Sequence, residues 1–179
     1  MKTFEKLGST AIPMHLALFN IPLKIAHRFK IPLVIWGENS ALEYGHRKER
    51  DLGYELNENW VKTYGVTNGT KVEDWIDEDL TEKDLAAYAG PNDNELRKLD
   101  IKAIFLGNYL GWDPEKSLEV ATKYGFEVKK EGPITGYYNY ADIDDEFISL
   151  HHWMKWYKYG FTRTFDNLSL EIRNERISR

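Results

Sequence analysis

The chain has 179 residues and a mass of 21.0 kDa, long enough for one domain with a real core. Hydrophobic residues make up 42% and aromatics 14%, which excludes wholesale disorder, and a net charge of −5 gives no reason to expect nucleic-acid or anionic-membrane binding. There is no cysteine, so disulfides, thiol nucleophiles and cysteine zinc sites are excluded, and no apolar run approaches the ~20 residues of a membrane span. No signal peptide is visible, and the expected location is cytoplasmic.

Residues 1–9 are a polar lead-in without a pattern. From Ala11 to Phe29 apolar residues recur at helical spacing (Leu16, Phe19, Leu23, Ala26), with Pro22 placed to kink the helix or divide it. Ile31–Trp36 is a short apolar run, β-branched at three positions, and it suits a parallel strand buried on both faces. The chemistry then changes to Gly37, Glu38, Asn39, Ser40, Glu43 and Tyr44. In open α/β sheets ligands sit in the crevice beyond the carboxyl ends of the strands, where this loop would fall. The same residues also fit a polar loop in which Ser40 caps a short helix.

Residues 46–100 are charged and helical in pattern, and are expected to form a helical insertion too polar for a core of its own. Short helices are predicted from Asn57 to Tyr64, after Thr70, after Thr81 with Asp84 closing a capping box, and from Asp93 to Leu99. The acids between Glu73 and Asp79 read as a solvated face. Ile101–Leu106 is a second strand, followed by Gly107, Asn108 and Tyr109 in close parallel with the first. Should both strands share a parallel sheet, the two loops open on one edge, and Glu38, Asn39 and Asn108 face a common ligand. Asparagine offers a donor and an acceptor on one side chain, suited to a sugar or an amide.

Asp113-Pro114 opens a helix running to Tyr124-Gly125. Phe126–Lys129 has the pattern of a short edge strand, and Gly132–Asn139 is a loop. Asp145–Tyr159 reads as a long helix with an aromatic stripe (Phe147, Trp153, Trp156, Tyr157), stopped by Gly160. A last helix is expected from about Asn167. Arg163 and Arg173, with Asp166 nearby, could hold a phosphate or carboxylate bidentately, while Lys158 and Arg163 could equally complement a helix end. Adjacent His151 and His152 point about 100° apart on a helix and cannot chelate one metal, so no metal site is expected. Neither G-x-x-x-x-G-K-[ST] nor G-x-G-x-x-G occurs.

Three stretches in order, IPLVIWGENSALEYG, IFLGNYLGWDPEKSLEVATKYGF and WYKYGFTRTFDNLSLEIR, resemble the downstream half of the N-acetyl sugar amidotransferases of lipopolysaccharide O-antigen and flagellin sugar biosynthesis. The resemblance covers the chain from about residue 10 onward. It implies an α/β fold with a parallel sheet, like that of the PP-loop ATP pyrophosphatases (adenine nucleotide alpha hydrolase-like). Residues 1–179 would then be a single domain, the C-terminal portion of such an enzyme. The implied chemistry is activation of an N-acetyl carbonyl oxygen by ATP with Mg, then attack by ammonia from a glutaminase partner, turning acetamido into acetamidino on a nucleotide-linked sugar. It implies substrate and nucleotide contacts by Glu38, Asn39, Glu43, Tyr44, Asn108 and Tyr109, and anion binding by Arg163 and Arg173 beside Asp166. The Ser-Gly-Gly-x-Asp-Ser loop that holds the ATP pyrophosphate in that family does not occur in these residues. The chain is therefore expected not to hydrolyse ATP alone, as a fragment or a truncated homologue. The alternative is a non-catalytic sugar-binding or glutaminase-docking subunit. Self-association is left open.

Overall fold

The computed structural model describes residues 1–37, 39–40, 43 and 55–179. The chain divides into two compact units, Met1–Ala41 with His46–Tyr109, and Leu42–Gly45 with Leu110–Arg179.

The first unit is organised by helix α2 (Ile12–Phe29) and two strands, β1 (Leu33–Trp36) and β2 (Lys102–Phe105). The strands pair in parallel, with Leu33 opposite Lys102 and Trp36 opposite Phe105. This is a mixed helical α/β arrangement with a small parallel sheet. Helix α2 buries Ile12, Leu16, Phe19, Leu23 and Ala26, a stripe stepping by three and four residues, so it presents one apolar face. Pro22 lies inside this helix without ending it. Phe19, Leu23 and Ala26 of the stripe meet Trp36, Ala103 and Phe105 on the inner face of the sheet, with Trp60, Leu56 and Leu96 completing the cluster, while Ile12 and Leu16 pack with Val72 and Trp75. Trp60 and Phe105 rings stand 4.4 Å apart between centroids. Residues of the predicted helical insertion thus share the core of the strands.

β1 is not buried on both faces as its composition predicts. Val34 and Trp36 turn inward, while Leu33 and Ile35 remain 45% and 55% exposed. A strand alternates its side chains, and α2 covers one face of this two-stranded sheet. The far edge of β2 takes an antiparallel bridge from Glu55 to Ile104, with Leu56 N donating to Ala103 O at 2.8 Å.

Shorter elements surround this core. The polar lead-in is in fact a helix, α1 (Lys2–Leu7), whose end is turned by Gly8 in the left-handed region; Lys2 pairs with Asp77 and Asp79. Helix α3 (Glu58–Tyr64) starts on Asn57, whose side chain accepts from Trp60 N. The segment predicted as a helix capped by Thr70 is one 3-10 turn, Val72–Trp75. There Asp74 accepts from Lys71 N, and the Thr70 hydroxyl is spent on Thr67 O. Helix α4 (Glu82–Leu85) carries the predicted Thr81/Asp84 capping box, and α5 (Asp93–Lys98) a second one between Asn92 and Glu95.

The second unit contains helices α6 (Pro114–Lys123), α7 (Ile148–Tyr159) and α8 (Arg163–Arg173). Phe126–Lys129 is not a strand; Lys129 N bonds to Asn139 O, one link between two loops. Helix α8 begins at Arg163, ahead of the predicted Asn167, because Gly160 takes the left-handed turn that ends α7 and the chain re-enters a helix after Thr162. Its buried face is Arg163, Asn167, Leu170 and Glu171, whereas Phe165 is 56% exposed. The polar stripe is the one that packs inward.

Candidate functional site

Two groups of predicted site residues can be placed, one in each unit. In the first unit, parallel pairing in register delivers the residues after β1 and after β2 to the same end of the sheet. Asn39 is buried, and its Nδ2 donates to Asn108 Oδ1 at 3.4 Å. Asn108 closes a 3-10 turn, Leu106–Asn108, that begins where β2 stops. Ser40 Oγ donates to Tyr64 O at 2.9 Å, a tertiary anchor. Tyr109 is 60% exposed beside this turn. Glu38 and Tyr44 lie outside the described residues.

In the second unit Arg163 is 8% exposed and sits between carboxylates. Its Nε donates to Asp142 Oδ2 at 3.2 Å and its Nη2 to Glu43 Oε1. Arg173 Nη2 donates to the backbone oxygen of Glu43 at 2.8 Å. Glu43 is therefore the common acceptor for the two predicted anion-binding arginines. Asp166 accepts from Lys155, whose ammonium also lies 4.5 Å from the Phe161 ring centre. The predicted residues Glu43, Arg163 and Arg173 do come together, but as mutual partners.

This interior contains groups that sequence reasoning missed. Thr135 Oγ1 donates to Asp142 Oδ2 at 2.6 Å, and His152 Nε2 lies 3.8 Å from the same oxygen. His152 is buried with no partner for Nδ1, and burial pulls its pKa down to about 4 against the attraction of Asp142. It is a neutral imidazole at physiological pH. A second knot joins Tyr138, Glu171, Arg176 and Asp113. Arg176 donates to both oxygens of Glu171 at 2.6 and 2.7 Å and to both of Asp113 at 2.9 and 3.1 Å. Hydrogen bonds from Arg176 hold the Glu171 pKa below the usual carboxylate range. Burial and the Glu171 carboxylate push the Tyr138 phenol upward.

Gly136 makes this packing feasible. Its φ is +68°, and a β-carbon there would stand 2.8 Å from Arg163 Cγ and collide with Asn167 Oδ1. The next residue, Tyr137, donates its N–H to Asn167 Oδ1 at 3.0 Å. The signal for this arrangement was the spacing of Arg163, Asn167 and Glu171 by four, which puts three polar groups on one helix face.

Among the described residues no three His, Asp or Glu side chains are grouped to hold a metal ion. The two strand ends show no glycine-rich run of the kind that wraps a pyrophosphate, since Gly37 and Gly107 are each single. These residues do not by themselves fit ATP with Mg. No described helix is long and apolar enough to cross a membrane. No protein-family model and no curated protein matches this chain.

Proposed function

We propose that the chain serves the sugar-binding side of an N-acetyl sugar amidotransferase reaction, in which an acetamido group of a nucleotide-linked sugar receives ammonia and becomes acetamidino. A glutaminase subunit is the expected ammonia source. The observation that carries this reading is the Asn39–Asn108 pair at the shared end of two parallel strands. A carboxamide carries a donor and an acceptor on one side chain, the combination that reads an amide or a sugar hydroxyl. Placement outside the carboxyl ends of strands is where α/β sheets take ligands. The family resemblance of the stretches around Asn39, Asn108 and Arg163 supplies the substrate class. Activation of the acetamido oxygen would need groups that these residues do not bring together.

Calorimetric titration with a UDP-linked N-acetyl uronic acid sugar, in parallel with ATP, tests the reading. Saturable sugar binding, weakened about tenfold in both Asn39→Ala and Asn108→Ala, is the expected result. No sugar binding at millimolar concentration would end it. Release of AMP or phosphate from ATP, with sugar and ammonia present, is expected to be absent for the chain alone.

One observation favours a second reading, a non-catalytic subunit that binds sugar or docks a glutaminase. Arg163 is already bonded to Glu43 and Asp142, an arrangement that builds structure and does not offer the guanidinium to a phosphate. Sugar binding with no response to ATP would favour it.

A further inference from the structure

The first unit contains a cleft of about 340 Å³ that the reading above does not use. Its floor is apolar, made by Leu16 and Leu23 of α2, Leu56, Val61 of α3, Val72 and Leu96 of α5. Three walls surround this floor: α3, the turn at residues 69–73, and the loop at residues 89–93. Each wall is tied in place by a specific bond. Asn20 Nδ2 of α2 donates to Tyr88 O at 2.8 Å, and Lys24 Nζ donates to Ala86 O at 2.6 Å, fixing the approach to the loop. Glu58 N donates to Asp93 Oδ1 at 3.1 Å, joining α3 to α5. Thr70 Oγ1 donates to Thr67 O at 2.6 Å and accepts from Trp75 Nε1 at 3.2 Å, fixing the turn.

The residues that lead into that turn are strained. Val66, Asn68 and Gly69 have φ of 56°, 52° and 74°, and a β-branched residue at positive φ is a costly choice. Thr67, between them, is 1% exposed with no partner for its hydroxyl. The chain spends strain and a buried hydroxyl to hold a wall of an open cleft, and strain of this kind gathers at ligand clamps.

The rim gives the ligand's chemistry. The α3 wall carries Glu58 and Lys62, and the turn carries Lys71 and Glu73. None of the four has an ion-pair partner within 4.0 Å among the described residues, although Glu58 and Lys62 stand at the helical spacing that favours pairing. The α3 wall and the adjoining turn, where Gly69 lies against Lys62, thus together offer two unused ammoniums and two unused carboxylates beside an apolar floor. A ligand with a single charge would leave groups of its own sign facing it. One with both charges can set each of them against a rim group of opposite sign.

We propose that this cleft binds a small zwitterion with an apolar body, of the size and kind of an aromatic α-amino acid. Cavities of this size with an apolar floor and a few convergent polar groups are the usual form of a small-molecule site. Nothing in this inference depends on the sugar-binding reading, since it rests on other residues.

The test is titration of the isotopically labelled full chain with L-phenylalanine, followed by amide NMR shifts. Saturable shifts at Gly69, Thr70, Gly90 and Leu96 with a Kd of about 1 mM or tighter are expected. Phenylacetate lacks the ammonium and 2-phenylethylamine lacks the carboxylate, and each should bind about tenfold more weakly. Lys71→Glu, at an exposed position, should weaken L-phenylalanine several-fold while leaving the fold unchanged. Val61→Trp fills the floor and should abolish the shifts. Absence of saturation by about 20 mM, shifts that map elsewhere, or equal binding of the singly charged analogues would each overturn the proposal. So would unchanged affinity in Lys71→Glu, whether or not the Val61→Trp chain folds.

Discussion

The two units solve the problem of an interior in opposite ways. The first buries Phe19, Leu23, Trp36, Trp60 and Phe105 around a short sheet and leaves charge at the surface. The second buries Arg163, His152, Asn167 and Glu171, and turns Trp153, Phe165 and Tyr157 outward at 57%, 56% and 67% exposure. An apolar interior gains by removing surface from water, at ~25 cal/mol per Å² and with little directional demand. A polar interior gains little net energy from each bond but loses heavily when one partner is removed. The first unit should therefore respond to changes in volume, and the second to changes in charge and proton count.

The largest effect is expected at Phe105, which is fully buried against Trp60. Phe105→Ala removes a ring from a packed cluster and should cost about 3–5 kcal/mol, measured by chemical denaturation. A loss under about 1 kcal/mol would mean that the cluster around the strands is not the core.

Arg176 comes next. It faces Asp113, Glu171 and Glu115, and Arg176→Met leaves the first two carboxylates close together without their cation. A loss of about 2–4 kcal/mol is expected, reduced from the fully buried case because the Arg176 side chain is 22% exposed. A second change, Glu171→Leu in the Arg176→Met background, should recover part of that loss. Simple additivity of the two would show that they do not act as one network.

Proton uptake separates the units further. The His152 pKa is lowered from 6.5 to about 4 by burial, so below pH 6.5 the unfolded chain binds a proton that the folded chain refuses. The stability tied to this group is whole above pH 6.5 and is lost as pH falls toward 4, up to roughly 3 kcal/mol. Glu171, whose pKa is also held down, loses its contribution only below its unfolded value of 4.5, and Asp77 in the first unit below 3.8. The interval from pH 6.5 to 4.5 lies above both, so these two carboxylates keep their charge while His152 loses its contribution. His152→Gln should flatten the fall in stability there, followed by thermal melting at fixed salt. An unchanged slope in that variant would show that other groups take up the protons.

The same contrast explains what could be read in advance. In the first unit the runs at Ile31–Trp36 and Ile101–Leu106, and the stripe along α2, carry the signals of strand and helix, so both strands (observed at Leu33–Trp36 and Lys102–Phe105) and the long helix were legible. The meeting of Asn39 with Asn108 followed from pairing those strands in parallel. Helix α1 was not legible, because only Phe4 and Leu7 hint at a stripe and its attachment runs through the distant Asp77. In the second unit Asp142 lies in a loop without periodic signal, and its partners Thr135, His152 and Arg163 are spaced irregularly along the chain. Hydropathy also points the wrong way on α8, where Phe165 is outside and Asn167 within. Polar contacts depend on geometry that no period encodes.

The smallest expected effect is the sharpest test of the sheet. Ile35 and Trp36 are neighbours in β1, yet Ile35 is 55% exposed and Trp36 only 9%. Ile35→Thr keeps a β-branched side chain on a face turned to solvent and should change stability by no more than about 0.5 kcal/mol. Trp36→Ala, one residue on, should behave like a core truncation and cost several times as much. Side chains alternate with period two, so a shift of the strand by one residue would exchange these two outcomes. It would also break the pairing of Trp36 with Phe105, and with it the register that brings Asn39 to Asn108. A large loss in Ile35→Thr would therefore remove the geometric basis for the proposed sugar site without any ligand being added.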